Sequence, residues 1–162
     1  DQGVKVVLNA APAQTLPPAL LGLVDILVVN EGELATVSGH SGSIAECLDR
    51  IDVPTVVVTL GHRGSCARHN GAFALQSAFP ISPVDTTGAG DTFCGSLVAA
   101  LSQGQPLADA LRFASAASAI ACTRWGAQSS IPETTEVEAL LASTPPTSAE
   151  EAHALRTFCG LN

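Results

Sequence analysis

The residues of this chain best suited to chemistry lie in residues 84–100, which read V-D-T-T-G-A-G-D-T-F-C-G-S-L-V-A-A. Gly88 and Gly90 leave backbone N–H groups open to an approaching anion, and the small and apolar residues from Thr92 and Phe93 onward have the pattern of a helix. Asp91 is therefore expected in the first turn of that helix, where the helix dipole favours a bound phosphate and an ionised carboxylate alike. Phosphoryl transfer needs donors aimed at developing negative charge and a carboxylate that accepts the proton of an attacking hydroxyl. Residues 88–91 offer both. The plain structural alternative is a Gly-rich turn closed by a capping Asp.

The elements that must hold this stretch are legible in chain order. Residues 4–8 form a β-branched run, expected as a strand buried on both faces, which the chain enters with almost no lead-in. Pro17 and Pro18 open a short helix over 19–24, and residues 25–29 form a second strand. That strand runs into Asn30-Glu31-Gly32-Glu33 and a helix to about residue 37, closed by Gly39. Residues 43–51 put Ile44, Cys47, Leu48 and Ile51 on one helical face, and a third strand covers 55–60. Strand and helix alternating in this way predict a parallel sheet with crossover helices. A turn at 61–64 leads into strands at 65–68 and 72–75 around Asn70-Gly71, a hairpin signal expected at a sheet edge. Pro80 and Pro83 break the chain before the glycine-rich stretch, and Ala-rich helices follow over about 92–103, 107–123 and 134–142. Pro145-Pro146 reads as a linker, and 149–158 as a last helix or a partly ordered tail.

Composition narrows the partners. With 46% hydrophobic residues, 162 residues supply a core for one domain. The odd number of cysteines, five, includes no C-x-x-C pair, and no leader opens the chain; these features predict a reducing, cytoplasmic setting with thiols as small buried hydrophobes. Apolar runs are strand-length, too short to span a membrane. A formal charge of −8 with only seven scattered Lys and Arg argues against nucleic acid as a partner. His40, His62, His69 and His153 lack metal-ligand spacing and read as surface side chains, and Cys94 and Cys122 read as packing residues.

Two common phosphate motifs are absent. The G-x-x-x-x-G-K-[ST] loop needs a Lys that does not follow Gly90, and a dinucleotide fingerprint belongs after the first strand, without a carboxylate at Asp91 to repel a pyrophosphate. Three other motifs occur in order: Asn30 to Glu33 fits N-x-x-E, Thr59-Leu60-Gly61-His62-Arg63-Gly64 fits T-L-G-x-x-G, and Asp85 to Phe93 fits D-T-x-x-A-G-D-T-F. Together they make the chain resemble the ribokinase-like, or PfkB, carbohydrate kinases. Asn9-Ala10-Ala11-Pro12-Ala13 and Thr123-Arg124-Trp125-Gly126-Ala127-Gln128 are similar to the N-P-A-P-A and T-R-x-G-A-Q segments of the ribokinase branch.

The resemblance implies an α/β fold, a Rossmann-type three-layer sandwich with a central, mostly parallel sheet and helices on both faces. It covers only the C-terminal half of the family's fold. The expectation is therefore a chain incomplete at its N-terminal side, lacking the Gly-Gly sugar motif, most substrate contacts and a small β lid through which the whole protein would form a homodimer. Residues 1–144 would be the nucleotide-binding part of the kinase domain and 145–162 a linker with a C-terminal helix or tail. The implied reaction is ATP-dependent phosphorylation of the O5 hydroxyl of D-ribose, giving ribose 5-phosphate and ADP. Alternative acceptors are a nucleoside, a fructose phosphate or a keto-deoxy sugar acid; a non-catalytic nucleotide-binding piece is the reading from another class.

Carried over by position, Asp91 is the catalytic base and contacts the sugar, and Gly88, Ala89 and Gly90 form the anion hole. Asn30, Thr59, Leu60, Gly61, His62, Arg63, Gly64, Gly90, Asp91 and Ser115 bind ATP, with Ser115 standing where members often have Asn or His. Glu33 organises Mg²⁺ through water, or is an ordinary first-turn carboxylate; the 59–64 turn likewise has a purely structural alternative. Asp85, Thr87, Ala121, Arg124, Gly126 and Ser130 surround a K⁺ ion. Trp125 flanks this loop or the nucleotide, or covers a helix end.

Overall fold

A computed structural model describes residues 3–161. Five strands, β1 (Val7–Asn9), β2 (Ile26–Asn30), β3 (Thr55–Thr59), β4 (Gly64–His69) and β5 (Ala72–Ser77), form one sheet whose spatial order is the chain order. The pairs β1–β2 and β2–β3 are parallel, whereas β3–β4 and β4–β5 are antiparallel. The change follows from the connections. α1 (Pro18–Leu21) and then α2 (Glu31–Ser38) with α3 (Ile44–Leu48) provide the crossovers that parallel neighbours require, and the short links after β3 and β4 only permit hairpins.

The side-chain period of two divides the sheet's valines between two cores. Val29, Val56 and Val58 pack with Leu34, Leu48, Leu155 and Cys159 on one face, and Val28 and Val57 pack with Phe93, Leu97, Ala110 and Leu111 on the other. The first face is covered by α2, α3 and α7 (Ala149–Cys159), and the second by α4 (Ala89–Ser102) and α5 (Leu107–Ala121). Ala100, Ala110 and Ala114 are buried where α4 meets α5, so the two helices approach without bulky spacers. α6 (Thr134–Ser143) adds Val137 against Ala116, Ala117 and Phe79. The result is the expected three-layer α/β sandwich.

Several expectations need correction. The first strand is not buried on both faces: Val7 to Asn9 are half-buried and Val4 and Val6 are exposed, because β1 borders the sheet among the described residues. α1 stops at Leu21 rather than 24, where Gly22, a poor helix former, follows. α4 begins at Ala89, three residues earlier than expected, because the Gly88 carbonyl accepts the Thr92 N–H at 2.8 Å and draws Gly90 and Asp91 into the first turn. Of the two readings of the last segment, the structure takes the helix and not the partly ordered tail. Its start is capped by Ser148 and Glu151, and Leu155, Cys159 and Leu161 lie in the core.

One arginine secures the end of α3. The Arg68 guanidinium donates to the carbonyls of Leu48 and Ile51, both at 2.7 Å, and of Val53 at 3.1 Å, tying the last residue of α3 and the loop after it to β4. Register then sets the functional end of the sheet: Asn30 stands opposite Thr59, so the last residues of β2 and β3 emerge side by side. In open α/β sheets this carboxyl edge is where ligands bind.

Gly64, which opens β4, has φ of 120°, and a Cβ there would lie 2.7 Å from the Ala78 nitrogen and closer still to the Gln76 carbonyl oxygen. Gly64→Ala is therefore expected to lower stability by at least about 1–3 kcal/mol, the cost of backbone strain alone. Gly71→Ala, at a positive φ with open space around it, should cost less. Denaturant midpoints for the two variants check this, and equal midpoints would remove the close contact from the account.

Candidate active site

A cavity of about 460 Å³ opens at the carboxyl edge of the sheet. Thr59, Gly61, His62 and Gly64 line one side, Ala89, Gly90 and Phe93 the base, Ser115, Ser118 and Cys122 of the α5 side another, and Phe79, Pro80 and Ile81 supply an apolar wall. The 59–64 turn, the start of α4 and Ser115, far apart in sequence, thus share one space. Apolar walls with backbone polar groups between them suit a flat heteroaromatic ring.

At the start of α4, Gly88 adopts a left-handed conformation, φ 75°, and a Cβ there would come within 3.1 Å of Ala127. The Ala89 N–H donates to the Thr86 carbonyl at 3.2 Å, and the N–H groups of Gly88, Gly90 and Asp91 have no partner among the described residues. Three backbone donors at a helix N-terminus, next to a glycine whose missing side chain leaves open space, make an anion cradle. Asp91 is exposed at the third position of the helix. The Ser118 hydroxyl donates to the Ala89 carbonyl at 3.0 Å and fastens this end of α4 to α5. Ser118 was not singled out from sequence. Its signal was its spacing of three from Ser115, which puts both on one helical face.

The N-x-x-E motif lies beside the 59–64 turn but does not line the cavity. Asn30 Oδ1 accepts the Glu33 N–H at 2.9 Å, and Glu33 Oε2 accepts the Asn30 N–H at 2.7 Å, a reciprocal cap on α2. This geometry is the first-turn carboxylate reading made concrete. It commits one oxygen of Glu33 and leaves Oε1 without a protein partner among the described residues, which fits a carboxylate touching a hydrated Mg²⁺ through water.

Within the turn the residues face different ways. A single 3₁₀ turn, Gly61–Arg63, follows β3, and the Leu60 side chain is fully buried in the core, so only its backbone belongs to the surface of this region. Arg63 does not line the cavity; its guanidinium lies 4.3 Å from the centre of the Phe158 ring. The Ser115 hydroxyl is 3.4 Å from that of Ser65.

Behind the cradle, Asp85 ties two loops together. Its Oδ1 accepts the Thr87 N–H at 2.9 Å and the Thr87 hydroxyl at 2.7 Å, and its Oδ2 accepts the Gly126 N–H at 2.9 Å. These bonds, the one from Gly126 above all, hold the Asp85 carboxyl below the usual range. Its contribution is present above the ordinary carboxylate pKa and fades as the pH falls through the lowered value. Val84 and Asp85 N–H groups both donate to the Cys122 carbonyl, at 2.7 and 3.2 Å. Of the other residues expected around K⁺, Ser130 is fully buried and donates to the Ala127 carbonyl at 2.8 Å, Ala121 is buried, and Arg124 pairs with Glu136 of α6. One carboxylate amid neutral carbonyl and hydroxyl oxygens suits a large monovalent ion better than a dipositive one. Trp125 is 76% exposed beside this loop and does not line the cavity. Burial raises the thiol pKa values of Cys94 and Cys122, with Asp91 and Asp85 respectively adding to it, as suits packing residues.

Residues 1–134 match the model of the pfkB family of carbohydrate kinases. A ribokinase of Haemophilus influenzae is 42% identical over 137 residues, covering 80% of this chain and 45% of that protein. Among solved structures, Thermotoga maritima ribokinase superposes with a TM-score of 0.80 at 36% identity, over 87% of this chain and 50% of that one. Arabidopsis thaliana ribokinase, complexed with ribose and ATP, does so with a TM-score of 0.80 at 35% identity, over 88% and 49%. The chain spans about half the length of the curated relatives it matches. With the three motifs gathered at one edge of a ribokinase-like sheet and this degree of likeness, the chain belongs to the pfkB family of carbohydrate kinases.

Proposed function

We propose that this chain supplies the ATP site, the anion hole and the catalytic base of a kinase that phosphorylates O5 of D-ribose, releasing ADP and ribose 5-phosphate. The observation that carries this reading is the convergence on one cavity of the 59–64 turn and the α4 N-terminus, with free N–H groups beside an exposed Asp91. The likeness to a ribokinase complexed with ribose and ATP supports both the acceptor and the nucleotide.

In this mechanism the ribose O5 attacks the γ-phosphorus as the bond to the ADP oxygen breaks. Asp91 takes the O5 proton as that bond forms, and the N–H groups of Gly88, Gly90 and Asp91 receive the charge gathering on the phosphoryl oxygens. Ala89 shapes the cradle, its own N–H being committed to Thr86. The backbone of 59–64 and Ser115 hold the base and sugar of ATP, and Asn30 and Glu33 flank its phosphates. Glu33, through its uncommitted Oε1, would hold Mg²⁺ by way of water, and the ion would supply neutralisation of phosphate charge. The Asp85 network, with Thr87, Gly126 and the carbonyls of the 121–130 loop, would hold K⁺ and so set the shape of the cradle. Residues 1–144 form the nucleotide-binding part of the kinase domain and 145–162 a linker and helix. Among the described residues no helix is long and apolar enough to cross a membrane. A cytoplasmic setting, taken from the cysteine usage, and a homodimeric whole protein, which the family resemblance implies, belong to this proposal.

The 162-residue chain is expected to bind ATP in calorimetry yet to release no ADP on addition of ribose, because the acceptor must also be positioned and water excluded. Ribose-dependent ADP release at an enzyme-like rate would overturn that division of labour. In the family-length protein, Asp91→Ala should cut turnover by about 10²–10⁴-fold with little change in ATP affinity. Near-normal turnover would remove the base from the mechanism. The same protein should turn over faster in K⁺ than in Na⁺ at matched ionic strength, since a ring of carbonyls sized for the larger ion cannot close on the smaller; equal rates would dismiss the cation site.

A further inference from the structure

The 61–63 turn has two faces, and the mechanism uses only one. Gly61 and His62 look into the cavity of about 460 Å³. On the other face, His62 and Arg63 meet α7 across a second hollow of about 340 Å³, bounded also by Ser77, Glu151, Leu155 and Phe158. His62 and Ala78 belong to both spaces, so the turn is a thin partition between the nucleotide cavity and the C-terminal helix. The partition's backbone closes on itself: the Leu60 N–H donates to the Gly64 carbonyl at 2.8 Å, the Arg63 N–H to the Leu60 carbonyl at 3.1 Å, and the Gly64 N–H to the Gly61 carbonyl. Its backbone tie to the neighbouring strand β5 is the Ala78 N–H, which donates to the Arg63 carbonyl at 3.1 Å. The Arg63 side chain, exposed to solvent, rests over the Phe158 ring.

α7 itself is firmly set. Leu155 and Cys159 are buried in the same core as Val58 and Cys66, and ahead of the helix the Thr147 hydroxyl takes the Ser77 N–H at 3.0 Å and lies 3.1 Å from the Ser77 hydroxyl. Arg112 holds the carbonyls of Leu141 and Pro145 at 3.3 and 3.2 Å, fixing the link between α6 and α7. The helix lies beyond residues 1–134, the part matched by the family model.

We infer that α7 is a positioning element for the nucleotide: Phe158, by stacking under the Arg63 guanidinium, holds the 61–63 turn in the form that receives the nucleoside half of ATP. The inference rests on the proposed nucleotide site and deepens it. A turn free to leave its binding-competent form lowers apparent affinity by the fraction of time it is absent. A cation resting on an exposed ring shifts such a balance about twofold to fivefold. The phosphates, by contrast, meet the α4 N-terminus, which α7 does not support. Phe158 is therefore a determinant of nucleoside affinity, separate from phosphate affinity.

The test compares ATP with inorganic tripolyphosphate in calorimetry on the 162-residue chain, and follows amide hydrogen exchange at residues 61–64 without ligand. In Phe158→Ala, ATP should bind about twofold to fivefold more weakly, tripolyphosphate should bind as before, and exchange in the turn should accelerate. Phe158→Tyr, which keeps the ring face, should restore ATP affinity and the slower exchange, with tripolyphosphate binding again unchanged. Unchanged ATP affinity, or an equal loss for both ligands, would overturn the inference. If the unaltered chain binds tripolyphosphate but not ATP, the proposed nucleotide site fails instead. Exchange in the turn then decides the positioning by itself, and an unchanged rate in Phe158→Ala refutes it.

Discussion

The complete burial of the middle of β3 is the constraint on which the rest depends. Val56, Val57 and Val58 have no solvent exposure, and their side chains alternate between the two cores. A strand enclosed on both faces has room for polar chemistry only at its ends. Thr59 stands at that end opposite Asn30, and the chain leaves it through Leu60, whose buried side chain anchors the turn that follows. Everything read here as functional is therefore backbone or side chain at one rim of the sheet. Neighbouring layers add to it from α4, α5 and the loops between them.

That rim is assembled by polar ties between loops with little secondary structure of their own. Asp85 joins the 85–87 loop to Gly126, the Cys122 carbonyl receives two N–H groups from the same loop, and Ser118 reaches the first carbonyl of α4. Gly88 must lie close to Ala127 for these ties to form, which a side chain at that position would prevent. The cradle's open N–H groups are thus held open by their surroundings. Such preorganisation is what makes donors effective toward charge that appears only during reaction.

Most of this arrangement was legible in the sequence, and the exceptions have physical reasons. Continuous apolar, β-branched runs and the Asn70-Gly71 turn revealed all five strands, and the order of three motifs indicated the family. The burial of β1 was misjudged because a β-branched run reads the same in the centre of a sheet as at its border; only the neighbours differ. The start of α4 was put three residues late because Gly88 and Gly90 have low helix propensity, which the Gly88 carbonyl bond to Thr92 overrides. Ser118 left only its spacing of three from Ser115 as a signal, and its bond to the Ala89 carbonyl left none. The packing of Phe158 on Arg63 is likewise a contact between elements distant in sequence, which leaves no local pattern.

The agreement of strand order with chain order bears on how the molecule comes to be folded. Each strand can pair with its predecessor as soon as it is made, so loop closures are short and the sheet can grow from one side during synthesis. The two cores do not mature together. The face built with α4 and α5 is complete well before the end of the chain, whereas the opposite face waits for Leu155, Cys159 and Leu161. Until those residues emerge, α2 and α3 already shield the valines of β2 and β3, but Phe73 and Leu75 of β5, on which α7 packs, remain open to water, and a ribosome-bound intermediate with a sticky half-covered sheet is the natural client for a chaperone.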